Sequence, residues 1–160
     1  MDLAHLDEWI GKSESYVERI APFPSNALAA TLDRDDPAYS DGTSLPPLWH
    51  WLHFLPVFRL SEAGYDGHAA LGGFLPPVPL PRRMWAGSRV NFHAPMPIGQ
   101  ELRKVSTIKS VKAKSGRSGQ IKNLVDMKGL VTEFELLHLA DNGNAACCRI
   151  RNLNAVSQPL

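Results

Sequence analysis

Residues 71–83, LGGFLPPVPLPRR, run directly into residues 84–119, MWAGSRVNFHAPMPIGQELRKVSTIKSVKAKSGRSG. The first piece is a loop by composition. The Gly72–Gly73 pair admits a turn that other residues resist, and the PVPLP segment holds the chain stiff and extended up to Arg82 and Arg83. The second piece changes period. Ser88–Phe92 with His93 alternates and stops at a proline-rich turn. Leu102, Val105, Thr107, Ile108 and Val111 then make a longer strand, and SGRSG (115–119) is a hairpin signal. Beyond it, residues 129–139 (GLVTEFELLHL) and 145–156 (AACCRIRNLNAV) read as two strands joined by the turn sequence DNGN at 141–144.

Upstream the pattern is helical. Leu3, Leu6, Trp9 and Ile10 recur at helical spacing, which predicts an amphipathic helix from about Asp2 toward Ile20, broken by Pro22 and Pro24. Ser25 is placed to cap a second helix, Asn26–Leu32, rich in alanine. Residues 33–47 are a polar loop of turn formers. Pro46 and Pro47 then open PLWHWLHFLP, which Pro56 stops. Leu48, Trp49, Trp51, Leu52, Phe54 and Leu55 make that segment apolar nearly all round, as suits a helix in the middle of a fold. A buried helix near the front followed by antiparallel strands is an α+β pattern.

At 160 residues and 17.6 kDa, the expectation is a single domain over 1–160. No apolar run has the length of a membrane span, and the first twenty residues carry acids rather than a basic start and apolar core. The two cysteines, Cys147 and Cys148, are adjacent, a spacing that rarely bridges and that suits a reducing compartment. A cytoplasmic protein is the reading. The net charge of +1 conceals an asymmetry, because Leu102–Val125 holds seven Lys or Arg and no acid. This is either a solvated strand face or a rim that attracts anions. No nucleic-acid signature accompanies it.

Several side chains are candidates for chemistry. His50 and His53 sit at i and i+3 and would share a helical face, but no third ligand is evident and no metal is expected. Asp66 and His68 lie together on a glycine-rich loop, either as turn formers or as an acid–base pair. Arg82 and Arg83 on their stiff loop can clamp a phosphate bidentately, and Lys112, Lys114 and Arg117 would add to the same field. Trp49, Trp51 and Phe54 read as core.

The segments ALAATLDRDDP, LPPLWHWLHFLP, GYDGHAALGGFLPPVPLPRRMWAG, FHAPMPIGQEL and GRSG, between roughly Trp9 and Gly119, occur in the order of a known family. The chain resembles the N-terminal half of MaoC-like double hot-dog dehydratases and hydratases, the type 2 hydroxyacyl-thioester dehydratase and mesaconyl-CoA hydratase group. The resemblance departs at Gln100, where an acid is usual, and weakens after Gly119, where QIKNLVDMKG precedes the next strand.

The resemblance implies a hot-dog fold, a curved antiparallel sheet wrapped round a central helix. It implies reversible hydration of an acyl thioester, with coenzyme A or phosphopantetheine as part of the substrate and no separate cofactor. With such a substrate, Trp49, His50, Trp51 and Phe54 would wall an acyl pocket, and the basic residues Arg82, Arg83, Lys112, Lys114 and Arg117 would meet the phosphates of coenzyme A. Catalytic repeats of the superfamily carry an aspartate and a histidine on a D-x-N-P-x-H-like segment. Laid on that pattern, DRDDPAY puts Arg34 and Tyr39 at those two places. The expectation is therefore a non-catalytic half that shapes the pocket and pairs with a catalytic hot-dog subunit or with itself. The alternatives are a stand-alone homodimeric hydratase or thioesterase using Asp66 and His68, and an inactive interaction module.

Overall fold

The computed structural model describes residues 4–78, 84–114, 124–126, 130–136 and 147–156. Within them the helical spacing of the first residues survives only briefly. Ala4–Trp9 form a 3-10 turn that buries Leu6, Gly11 takes φ 89°, and the chain leaves as strand β1, Ser13–Arg19. The helix expected to reach Ile20 is thus corrected. Cross-strand partners decide the matter, since β1 pairs antiparallel with β3, Glu101–Ile108, from Ser13↔Thr107 to Arg19↔Glu101. Arg19 stands opposite an acid, and the Lys104 ammonium lies 5.3 Å from the centroid of the Tyr16 ring opposite it. Such pairs contribute roughly 0.2–1 kcal/mol each, enough to override a weak local preference.

Pro22 and Pro24 do not break a helix; they begin one. Helix α1 spans Pro22–Thr31 with Ala21 as its N-cap. Proline is tolerated in a first turn, whose N–H groups have no partner within the helix. Ser25, expected as the cap, is instead buried inside the helix. Asp33, at φ 51°, turns the chain away after the C-terminus.

The tryptophan-rich segment is the larger correction. It makes a single 3-10 turn, Trp49–Leu52, and no buried α-helix. Only eight residues separate Pro47 from Pro56, and both ends adopt left-handed backbone, Leu48 at φ 72° and Phe54 at φ 56°. Too few residues remain for the hydrogen bonds of a longer helix.

Most strands downstream fall on the runs read as strands, with β3 ending at Ile108 rather than Val111 and two short strands added at 112–114 and 124–126. They are β2 (Met84–Asn91), β3, β4 (Lys112–Lys114), β5 (Leu124–Asp126), β6 (Leu130–Leu136) and β7 (Cys147–Val156). The sheet runs β1-β3-β6-β7-β5-β4, with β2 added on β7. Among the described residues every strand pairing is antiparallel. The β2–β7 register shifts at Gly87, where a bulge needs a small residue. Residues 115–119 and 141–144, expected as turns, lie outside the described residues. After Gly119 the register is β6 on β3, from Leu102↔Leu136 to Ile108↔Leu130.

Ile20, Leu45, Phe54, Met96, Ile98 and Leu102 form the main buried cluster, with Tyr39, Trp49 and Val90 packed against it. Residues 42–45 run beside 96–98 through Leu45 N–H to Met96 O at 2.7 Å and Ile98 N–H to Thr43 O at 2.8 Å. Gly99 completes the turn at φ 89°, and a Cβ there would stand 2.7 Å from Asp41 Cγ. These two segments set the walls of the site.

Candidate functional site

The 3-10 turn presents neighbouring side chains to two different places. Trp49 faces a polar cluster that follows helix α1. Asn26 fixes that cluster's backbone, its side-chain amide donating to Tyr39 O at 2.9 Å and its amide oxygen accepting from Tyr39 N–H at 2.8 Å. The Arg34 guanidinium grips Asp36 with two bonds, Nε to Oδ2 at 2.7 Å and Nη2 to Oδ1 at 3.1 Å, and the Tyr39 hydroxyl donates to Oδ2 at 2.8 Å. The ring of Trp49 lies 5.4 Å from that of Tyr39 and 5.5 Å from the guanidinium carbon.

Electrostatics follows from these bonds. Hydrogen bonds from Arg34 and then Tyr39 hold the Asp36 carboxyl below the usual range, so it stays ionised and is a weak base. Partial burial, then the bond to Asp36, pushes the Tyr39 phenol up, so it keeps its proton. Arg34 and Tyr39 are the residues that fall on the catalytic pattern. Both are engaged with one carboxylate.

His50 faces the second place, a cavity of about 370 Å³ lined by residues 44–47, His50 and 92–96. Leu45, Pro46, Phe92 and Met96 make its wall mainly apolar, with Ser44 and His93 adding polar groups. The His50 ring is buried and sits edge-on to Trp51 and Phe92, centroids 5.6 and 6.3 Å away. Burial foremost, helped by nearby His53 and Lys104, lowers its pKa to about 4. The imidazole is neutral at ordinary pH. A mainly apolar cavity with a few polar groups has the make-up of a small-ligand site.

A third cluster holds the turn in place. Glu18 of β1 accepts from Phe54 N–H at 2.5 Å through one oxygen, and its other oxygen is 3.1 Å from His53 Nδ1. Lys104 donates to Phe54 O at 3.4 Å, and burial lowers its pKa against the pull of Glu14 and Glu18. These bonds fix Phe54 in its left-handed conformation, which costs on the order of 1–3 kcal/mol in a non-glycine residue.

The sequence-derived candidates divide accordingly. Of the four acyl-pocket residues, His50 lines the cavity, Trp51 packs against His50, Phe54 belongs to the main buried cluster, and Trp49 belongs to the polar cluster. His50 and His53 are near each other, but His53 points to Glu18. Among the described residues no three His, Cys, Asp or Glu side chains gather as a metal site. Asp66 and His68 are close through the main chain, where Asp66 Oδ1 accepts from His68 N–H at 3.2 Å within an exposed turn. Lys112 and Lys114 fall on β4. Arg82, Arg83 and Arg117 lie outside the described residues. Glu18, Asn26 and Lys104 are missing from the sequence-derived set because their partners are 13 to 50 residues away. Phe92 and Met96 had a signal, the proline-rich FHAPMP turn.

The family described as hydroxyacyl-thioester dehydratase type 2 matches residues 48–150, which include the 3-10 turn and the far cavity wall. The chain belongs to this family. Helix α1 and the antiparallel sheet of the described residues are accordingly those of a hot-dog fold. The mesaconyl-C(4)-CoA hydratase of Chloroflexus aurantiacus is 46% identical over 121 residues, 76% of this chain and 43% of the relative. The chain thus spans less than half the length of that relative. Among solved structures, the MaoC-like dehydratase from Rhodospirillum rubrum superposes with a TM-score of 0.42 at 14% identity, covering 100% of this chain and 98% of that one. The (R)-hydratase from A. caviae gives 0.37 at 15%, covering 94% and 96%. The family assignment rests on the sequence matches. Among the described residues no helix is long and apolar enough to cross a membrane.

Proposed function

We propose that this chain is the substrate-shaping half of an acyl-thioester hydratase or dehydratase, and that proton transfer belongs to a catalytic hot-dog partner. The carrying observation is the Arg34–Asp36–Tyr39 cluster. On the segment DRDDPAY, laid on the stretch where catalytic repeats hold an aspartate and a histidine, one carboxylate is bound by a guanidinium and a phenol, and the segment's sequence holds no histidine. Hydration of an enoyl thioester needs a group that activates water and a group that delivers a proton at the α carbon. Asp36, held ionised by two donors, does neither well.

The cavity beside His50 supports a binding role. Its volume and mainly apolar wall fit a short acyl group such as the four-carbon chain of crotonyl-CoA, and the relative's name suggests mesaconyl-C(4)-CoA as a second candidate. Arg82 and Arg83, with Lys112, Lys114 and Arg117, would hold the phosphates of coenzyme A or of a carrier's phosphopantetheine. A cytoplasmic setting and a dimeric assembly, with itself or with the catalytic subunit, complete the proposal.

The test is turnover by the purified chain on crotonyl-CoA and mesaconyl-C(4)-CoA, followed by loss of enoyl absorbance and by release of coenzyme A thiol. The expected result is no hydration and no thiol release. Hydration abolished by His68→Ala would overturn the reading and favour a stand-alone enzyme using Asp66 and His68, whereas thiol release would favour a thioesterase.

A further inference from the structure

One side chain on another element holds two consecutive residues at the exit of the 3-10 turn. Glu18 stands in β1 opposite Leu102, a member of the main buried cluster, so the β1–β3 ladder fixes its backbone. From there its carboxylate accepts the Phe54 N–H at 2.5 Å and lies 3.1 Å from His53 Nδ1. The His53 side chain is 1% exposed, and its Nε2 meets no hydrogen-bond partner among the described residues. The contact with Glu18 is therefore the polar contact that orients this ring. At the entry of the turn the bonds are local instead: Trp49 N–H donates to Pro46 O at 3.1 Å, and Trp51 N–H to Leu48 O at 3.2 Å. The exit is the end tied to the sheet.

His50 stands between the two ends. Its carbonyl accepts from His53 N–H at 3.1 Å, and its buried ring forms part of the cavity wall. One main-chain hydrogen bond thus links the residues that Glu18 holds to the wall itself. Phe54 keeps left-handed backbone at φ 56°, a conformation that a non-glycine residue adopts only where its surroundings impose it. Removing the carboxylate takes the acceptor from a buried N–H and the partner from a buried imidazole. The strained residue then relaxes, the exit peptide turns, and His53 carries His50 with it. A site must be held to within about 0.5 Å of its working geometry, so such a shift is enough to spoil the wall.

We propose that Glu18 is a positioning residue for the cavity: from β1 it fixes His53 and Phe54, and so sets where His50 stands in the wall that meets the acyl chain, a role that rests on the acyl-thioester reading. Glu18 is not among the residues that line the cavity, and it precedes residues 48–150, the part of the chain that the family matches. It acts through the turn and not by touching the ligand.

The experiment is calorimetric titration of the intact chain with crotonyl-CoA and with coenzyme A alone, read as the ratio of the two affinities. A change that only weakens the fold lowers both affinities together and leaves their ratio. Wild type should prefer crotonyl-CoA. Glu18→Ala should cut that preference at least about fivefold while coenzyme A alone binds as before. Glu18→Gln, whose amide accepts from Phe54 N–H and donates to His53 Nδ1, should restore the preference to within about twofold. With the cavity filled by Ala94→Phe, adding Glu18→Ala should change nothing further. Should Glu18→Ala lose its circular dichroism, Lys104→Met is read in its place, because it removes the donor to Phe54 O, with a loss of at least about threefold expected. A preference unchanged in the variant read, a full loss that persists in the filled cavity, or a Glu18→Gln no better than Glu18→Ala would each overturn the proposal and leave the thioester reading standing. A wild type that binds crotonyl-CoA no better than coenzyme A would overturn both.

Discussion

A neutral histidine in an apolar wall has a consequence that denaturation can read. His50 titrates near 4 in the folded chain and near 6.5 when unfolded, because burial disfavours its charged form. Above pH 6.5 both states are neutral and the group costs nothing. Between 6.5 and 4 the unfolded chain binds the extra proton, so stability falls with pH across that window. The loss is on the order of 3 kcal/mol at full effect. Urea unfolding of wild type and His50→Gln at pH 7 and pH 4.5 should show a distinctly smaller acid loss in the variant; equal losses would contradict the assignment. Gly99→Ala has a steric cause. Its Cβ would meet Asp41 Cγ at 2.7 Å, on backbone at φ 89° that side chains avoid. Destabilisation of roughly 1–3 kcal/mol is expected from thermal unfolding. Neither effect was visible in the sequence. His50 was a candidate from its spacing with His53 and from the acyl-pocket reading, but the Phe92 ring beside it lies forty-two positions along the chain, and Gly99 looked like any turn glycine.

At the scale of elements, alternation in the C-terminal half was legible and helical spacing in the N-terminal half was misleading. The sequence of β6 alternates through Leu130, Thr132, Phe134 and Leu136, while β3 and β7 were legible as runs bounded by turn residues, and sequence pattern and tertiary pairing agree there. In Ser13–Arg19 they disagree, and pairing with β3 wins. In Trp49–Leu52 the flanking prolines were visible, but the left-handed turns at Leu48 and Phe54 were not. Leu48 gives a direct test, being half exposed and strained at φ 72°. Leu48→Gly should stabilise the chain by roughly 0.5–1 kcal/mol if relief of strain outweighs the added flexibility of the unfolded chain. A clear loss of stability in thermal melts would mean that the Leu48 side chain, not its backbone, holds the turn.

For the whole molecule, the family and the hot-dog class were legible in a handful of ordered motifs. The cavity was not, because its walls come from residues 44–47 with His50 and from 92–96, segments far apart in the chain that the fold joins through the Leu45–Met96 hydrogen bond. Replacing both Arg82 and Arg83 by Ala should weaken coenzyme A binding at least about tenfold, a loss of ~1.4 kcal/mol. Lys112→Ala/Lys114→Ala should matter less and fade with salt, and calorimetry at two ionic strengths distinguishes the two. The central claim is binding of an acyl thioester without turnover. Its most direct measurement is calorimetric titration of the chain with crotonyl-CoA, beside the cavity-filling variant Ala94→Phe, with the recovered ligand analysed afterwards. Wild type should bind and return the thioester unchanged, while Ala94→Phe should bind at least about tenfold more weakly yet keep its affinity for coenzyme A alone. Hydrated product in the recovered ligand, or equal crotonyl-CoA affinity in both proteins, would contradict it.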